Sequence, residues 1–259
     1  MIQITVLAEN TARTPDLEAE HGLSLLIETH TRRILFDMGQ SDLFLRNARR
    51  LKIDLSTVDT AILSHGHYDH GGGLSAFLPY NKTAPVYITP TAFEPHFNEK
   101  GKSIGLDPTL QGNPRLILTG DECSLGDGMT LYTCNKNAPV THGTQGMQTL
   151  RGNEKIADDF SHEQYLLIQE GEKKILVSGC SHKGVENLVK WFRPTVLIGG
   201  FHISKLPLNE DLAALARRLG EYGTEYFTFH CTGVTQYEFM KQQVPALSYK
   251  AGGDTITIF

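Results

Sequence analysis

The chain has 259 residues, 40% of them hydrophobic and 20% charged, which suits one large soluble α/β domain with a sizeable core and argues against disorder. Its formal net charge of −5 lacks the basic excess of nucleic-acid binders, and the local group Arg46, Arg49, Arg50 and Lys52 reads as a solvated helix face, so no nucleic-acid partner is expected. No run of 18 apolar residues occurs, and Met1-Ile2-Gln3-Ile4-Thr5-Val6 reads as a strand rather than a leader, so a cytoplasmic protein without a membrane partner is expected.

In chain order, the pattern predicts strands over 3–7, 24–29 and 33–36, then an amphipathic helix over 42–51. Ser41 can cap that helix, Asp42 favours its first turn, and Leu43, Phe44, Ala48 and Leu51 form its core stripe. The apolar run Thr60-Ala61-Ile62-Leu63-Ser64 then leads into His65-Gly66-His67-Tyr68-Asp69-His70. If 61–64 is a buried strand, the loop leaving it can turn His65 and His67 to one side and Asp69 and His70 to the other, enough for two neighbouring cations. Imidazole nitrogen and carboxylate oxygen suit zinc and related divalent ions.

A short helix near 74–77 and a strand over 86–88 follow. The stretch 89–127 is rich in Pro, Gly and aromatics and lacks clean periodicity. It reads as an insertion near the active site, with Lys100 and Lys102 as candidates for gripping an anionic substrate, although ordinary exposed lysines are the simpler reading. Strands over 129–133 and 165–169 come next, with 166–168 and 175–177 joined through Glu170-Gly171-Glu172-Lys173 as a tight hairpin. Helices over 185–192 and 209–219 alternate with strands over 196–198 and 226–229, and a last strand covers 255–259. The four cysteines, Cys123, Cys134, Cys180 and Cys231, show no C-x-x-C pairing, so reduced thiols are expected. Oligomeric state is not fixed by any of these features.

Several motifs resemble the metallo-β-lactamase superfamily in the same order. They are Ile34-Leu35-Phe36-Asp37-Met38-Gly39, the loop His65-Gly66-His67-Tyr68-Asp69-His70-Gly71-Gly72, Ser178-Gly179-Cys180-Ser181-His182, Gly199-Gly200-Phe201-His202 and Phe229-His230-Cys231-Thr232-Gly233. The set looks like the branch similar to the pterin-aminobenzene ribofuranosyl phosphate synthases. The resemblance implies a four-layer αββα sandwich spanning 1–259 as one domain, holding two divalent ions, most simply zinc, with iron or manganese also compatible. It implies His65, His67 and His182 for the first ion and Asp69, His70 and His230 for the second, with Asp37 orienting the metal loop.

The chain departs from the superfamily pattern at Cys180, which stands where a bridging aspartate is usual and is either a soft ligand or a small buried residue beside the site. His142 and His162 compete for the third-histidine position, although His162 precedes the strand at Tyr165, which leaves its side chain far along the sheet from that strand's end. His202 is read as touching substrate or a leaving group, or as supporting a ligand.

The function expected is a metal-dependent hydrolase acting on a small anionic ester, thioester, lactone or phosphodiester, with Asp69 and His202 as catalytic groups. A synthase or lyase of the pterin type is the alternative, for which Phe93, Phe97 and Phe201 would line an aromatic slot. A third reading is a non-catalytic metal or ligand sensor.

Overall fold

The computed structural model describes residues 1–137 and 146–259, and the chain forms two compact units. The first comprises Met1–Gly120, Gly146–Gln164 and Ala251–Phe259. Its seven-stranded sheet runs in the order Thr255–Ile258, Ile2–Ala8, Ser24–Glu28, Arg33–Phe36, Thr60–Ile62, Val86–Ile88 and Leu116–Leu118. The first three pairings are antiparallel and the last three parallel. Parallel neighbours need crossovers, which helices Leu43–Arg50 and Leu74–Tyr80 supply. Ile2–Ala8, Ser24–Glu28, Arg33–Phe36 and Thr60–Ile62 are mostly apolar because they are buried on both faces.

Leu7, Leu26, Leu35, Ala61 and Val86 of this sheet share one core with Leu43, Phe44 and Ala48 of the first helix and Leu74 and Phe77 of the second. Asp42 occupies the N-cap position of helix Leu43–Arg50 without a side-chain cap bond, and the expected Ser41 hydroxyl accepts instead from Leu43 N–H at 3.1 Å. The basic group on this helix is partly acid-paired: Glu18 meets Arg46 at 2.8 Å and Arg50 at 2.6 Å. A three-stranded sheet, Glu154–Ala157, Gln148–Arg151 and His96–Phe97, completes the unit.

The second unit comprises Asp121–Gln145 and Tyr165–Lys250. Its seven strands run Leu247–Tyr249, Glu225–Thr228, Val196–Ile198, Lys173–Val177, Tyr165–Glu170, Met129–Tyr132 and Glu122–Gly126. Leu247–Tyr249 through Lys173–Val177 pair in parallel, and the predicted hairpin joins Tyr165–Glu170 to Lys173–Val177 in antiparallel register. Helices Val185–Phe192, Glu210–Glu221 and Val234–Lys241 contribute Leu188, Leu215 and Met240 to a core with Leu176, Leu197 and Tyr226. No helix among the described residues is long and apolar enough to cross a membrane.

The predicted strands and helices recur with ends shifted by up to three residues. Elements without a clear apolar period escaped the sequence reading, among them Gln148–Arg151, Glu154–Ala157, helix Val234–Lys241 and strand Leu247–Tyr249. Within 89–127, Leu116–Leu118 and Glu122–Gly126 are outermost strands of the two large sheets.

In each unit the carboxyl ends of adjacent parallel strands open onto loops, the position where such sheets place ligands. Because Phe44 is fully buried in the first core, Phe44→Ala should cost about 3–5 kcal/mol in urea unfolding. A loss below 1 kcal/mol would remove this helix from the core.

Candidate metal centre

Two neighbouring parallel strands of the first unit build the loop. Asp37 follows Arg33–Phe36 with left-handed backbone (φ 59°), and Ser64 and His65 follow Thr60–Ile62. The fully buried Asp37 carboxylate accepts from Ser64 N–H at 2.7 Å through Oδ1. Through Oδ2 it accepts from the Ser64 hydroxyl at 2.7 Å and from His70 Nδ1 at 2.6 Å. Having given its proton to Asp37, the Ser64 oxygen can only accept from His65 Nδ1, 2.7 Å away. Both imidazoles therefore carry their proton on Nδ1 and present Nε2 as a lone pair, the arrangement that carboxylate contacts impose on metal-binding histidines.

Rings His65 and His67 lie 4.6 Å apart, and His65 and His70 4.2 Å apart, between centroids. The loop is held tightly: a Cβ on Gly66 would fall 2.2 Å from Ala92 O, and one on Gly73 2.2 Å from Met38 O. Asp69 Oδ2 lies 4.0 Å from His70 Nε2 and 3.3 Å from His21 Nε2. Burial holds His67 well below the usual imidazole range and keeps it neutral, the form a ligand needs.

His162 is not far along the sheet. Its Nδ1 accepts from Gly66 N–H at 2.9 Å, inside the metal loop. The segment reaches the loop because Gln164 continues it: Gln164 N–H donates to Ser64 O at 2.7 Å, and its amide donates to Leu63 O at 2.8 Å. With Nδ1 accepting, the His162 proton sits on Nε2, which faces Asp158 Oδ2 at 3.4 Å.

Asp158 Oδ2 also accepts from His96 Nδ1 at 2.8 Å, and Oδ1 accepts from Phe160 N–H at 2.8 Å. Burial pushes the Asp158 carboxyl up, but the bonds from His162 and His96 outweigh it and hold the group below the usual carboxylate range. Ligand atoms of His67, His96, Asp158 and His162 lie within 4.8 Å of one another. Since His162 Nδ1 is committed to Gly66, this group reads as a brace for the loop that leaves His96 Nε2 buried and without a hydrogen-bond partner among the described residues.

In the second unit, three adjacent parallel strands end in the other candidates. Cys180 and His182 follow Lys173–Val177, His202 follows Val196–Ile198, and His230 and Cys231 follow Glu225–Thr228. The backbone is left-handed at Ser181 (φ 55°), His202 (φ 50°) and His230 (φ 47°). His182 and His230 are buried, and the His182 ring lies 4.3 Å from that of His202. Cys231 Sγ accepts from His202 N–H at 3.2 Å. Burial pushes the Cys231 thiol up, but hydrogen bonding with Cys180 and His202 and the charges of His230 and His202 hold it well below the usual thiol range. All four cysteines stand outside disulfides.

Other expected residues fall elsewhere. Lys100 and Lys102 are exposed on a turn whose N–H groups donate to Asn98 Oδ1 at 3.0 Å. Phe93 packs against the first core and Phe201 is buried within the second. His142 lies outside the described residues. Sequence reasoning missed His21, Asp158 and Lys183; the last is buried with Nζ donating to Thr133 O and Asn135 Oδ1, both at 2.6 Å. An S-H-K run beside a strand end was its only signal, whereas Asp158 is joined to His96 across 62 residues.

The model of the metallo-beta-lactamase superfamily matches residues 17–226, and the chain belongs to that superfamily. The 7,8-dihydropterin-6-methyl-4-(beta-D-ribofuranosyl)-aminobenzene-5'-phosphate synthase of Methanocaldococcus jannaschii is 32% identical, over 90% of this chain and 88% of that protein. Among solved structures, Tm1679, a metal-dependent hydrolase of the beta-lactamase superfamily, matches with TM-score 0.84 and 27% identity over 100% of this chain and 99% of that one. Zinc-bound PqqB of Methylobacterium extorquens shares the fold at TM-score 0.61 and 12% identity, over 99% and 100% of the two chains. The fold class is thus the α/β sandwich of αββα type expected from the motifs.

The Asp158 carboxyl is lowered on folding, so the stability it contributes is full above the unfolded value of about 3.9 and is lost as pH falls below it. Asp158→Asn should cost about 3 kcal/mol at pH 7, and the gap to wild type should narrow between pH 5 and pH 3 in urea melts. A gap independent of pH would show that the charge contributes nothing.

Proposed function

We propose that the protein is a metal-dependent hydrolase of a small anionic ester, thioester, lactone or phosphodiester. In this reading His65, His67 and His182 hold one divalent ion, and Asp69, His70 and His230 hold a second. The observation that supports it most is the Asp37 and Ser64 network, which orients two Nε2 lone pairs beside a neutral His67. That donor set fits zinc, iron or manganese. When bound, such ions supply Lewis acidity and lower the pKa of water from about 15.7 toward about 7.

The chain's own groups do the rest. Asp69, with 13% of its side chain exposed, is positioned to take up a proton, and the exposed His21 beside it can pass that proton to solvent. His202, at the neighbouring strand ends of the second unit, is the group we assign to the leaving group. A small anionic substrate rather than nucleic acid, and a cytoplasmic location, agree with the charge balance and the thiols.

The 32% identical relative favours a second reading, a synthase acting on pterin and aminobenzene ribofuranosyl phosphate precursors. Metal-loaded protein assayed on a panel of esters, thioesters, lactones and phosphodiesters separates the two. Turnover that falls at least about 100-fold in kcat/KM for His67→Ala is expected from the loss of a ligand. An inert panel, with His67→Ala indistinguishable from wild type, would sink the hydrolase reading, and product from the pterin precursors would establish the second. Asp37→Asn should weaken metal binding by about 10–100-fold in a competition titration, because both orienting bonds pass through Oδ2.

A further inference from the structure

We propose that Cys180, His202 and Cys231 form a sulfur-rich site for one zinc-class divalent ion, chemically distinct from the nitrogen and oxygen centre of the preceding reading. The three side chains leave the ends of three consecutive parallel strands, so the sheet spacing itself brings them together. Their ligand atoms lie within 4.8 Å of one another. Around a tetrahedral zinc with bonds of about 2.0–2.3 Å, neighbouring ligands sit roughly 3.5–3.8 Å apart, so a shift of about 1 Å in the side chains closes the shell.

Three further observations point to a built site. A Cβ on Gly200 would fall 2.3 Å from Cys231 Sγ, so the sulfur occupies space that only glycine leaves open. The His202 N–H donates to the same sulfur at 3.2 Å, a bond that favours a thiolate. His202 Nδ1 is buried and has no hydrogen-bond partner among the described residues, a costly state for a polar atom unless something completes it, and an ion held there leaves Nε2 for the leaving group.

Two thiolates and one imidazole form the donor set of a zinc site with an open fourth position, and Cys180 thereby gains a role in place of the missing aspartate. Binding exchanges the remaining thiol protons for one dication. The Cys231 sulfur gives up its 3.8 Å contact with Cys180 O, and each displaced proton leaves to solvent.

The test uses the full chain, stripped with a chelator and titrated with Co2+. A sulfur-to-cobalt charge-transfer band with the intensity of one sulfur-ligated ion per chain is expected in wild type and in His67→Ala, and it should vanish in Cys180→Ser and in Cys231→Ser. Zinc-loaded wild type, which needs no substitution, should show two sulfur neighbours per chain at about 2.3 Å in X-ray absorption. Absence of the band, or a band that survives in Cys231→Ser, overturns the site and leaves Cys180 to the other centre. The hydrolase reading fails separately, through an inert substrate panel, and that result leaves the band in place.

Discussion

Everything in the first unit's site depends on one buried carboxylate. Asp37 ends one strand, takes the backbone and hydroxyl protons of Ser64 at the end of the next, and takes the Nδ1 proton of His70 from the loop beyond. A buried carboxylate without donors would be expensive, and three donors from one loop compensate it. The two strands are in parallel register, Phe36 opposite Ile62, so the precision of the ligand nitrogens is inherited from the sheet ladder. The imidazoles are thereby locked by the same hydrogen bonds that close the fold at this edge.

The second unit repeats the plan with different chemistry. Its ligand-bearing residues also follow parallel strands, but serine and threonine hydroxyls replace the carboxylate as organisers: Ser178 Oγ accepts from Ser181 N–H at 3.1 Å, and Thr232 Oγ1 accepts from Phe201 N–H at 2.9 Å. The residues they organise are thiols and imidazoles. One superfamily architecture thus carries a hard-to-borderline donor set on one sheet and a softer one on the other.

Much of this was legible in the chain. The hexapeptide from His65 to His70 declares itself because its donors are contiguous and follow a buried apolar run, and the strands of both large sheets show as short apolar blocks. What could not be read has a physical reason. Asp158 and His96 meet across 62 residues, and Cys231 meets Cys180 across 51. Strands Gln148–Arg151 and Glu154–Ala157 are mostly polar and half-buried or exposed, so no apolar period marks them. The strand after His162 points away from the metal loop, and only Gln164, which fastens the preceding turn to that loop, brings the imidazole beside it.

Asp37, Ser181, His202 and His230 all adopt left-handed backbone, a conformation that costs a residue with a Cβ about 1 kcal/mol. Glycine alone would relieve that cost, and glycine carries no carboxylate, hydroxyl or imidazole. The positions where the chain would most readily gain thermal robustness are therefore the ones where it would lose its donors. Selection for heat tolerance alone would erode this protein from its site outward, and a hardier form would have to find its gains in the two cores instead.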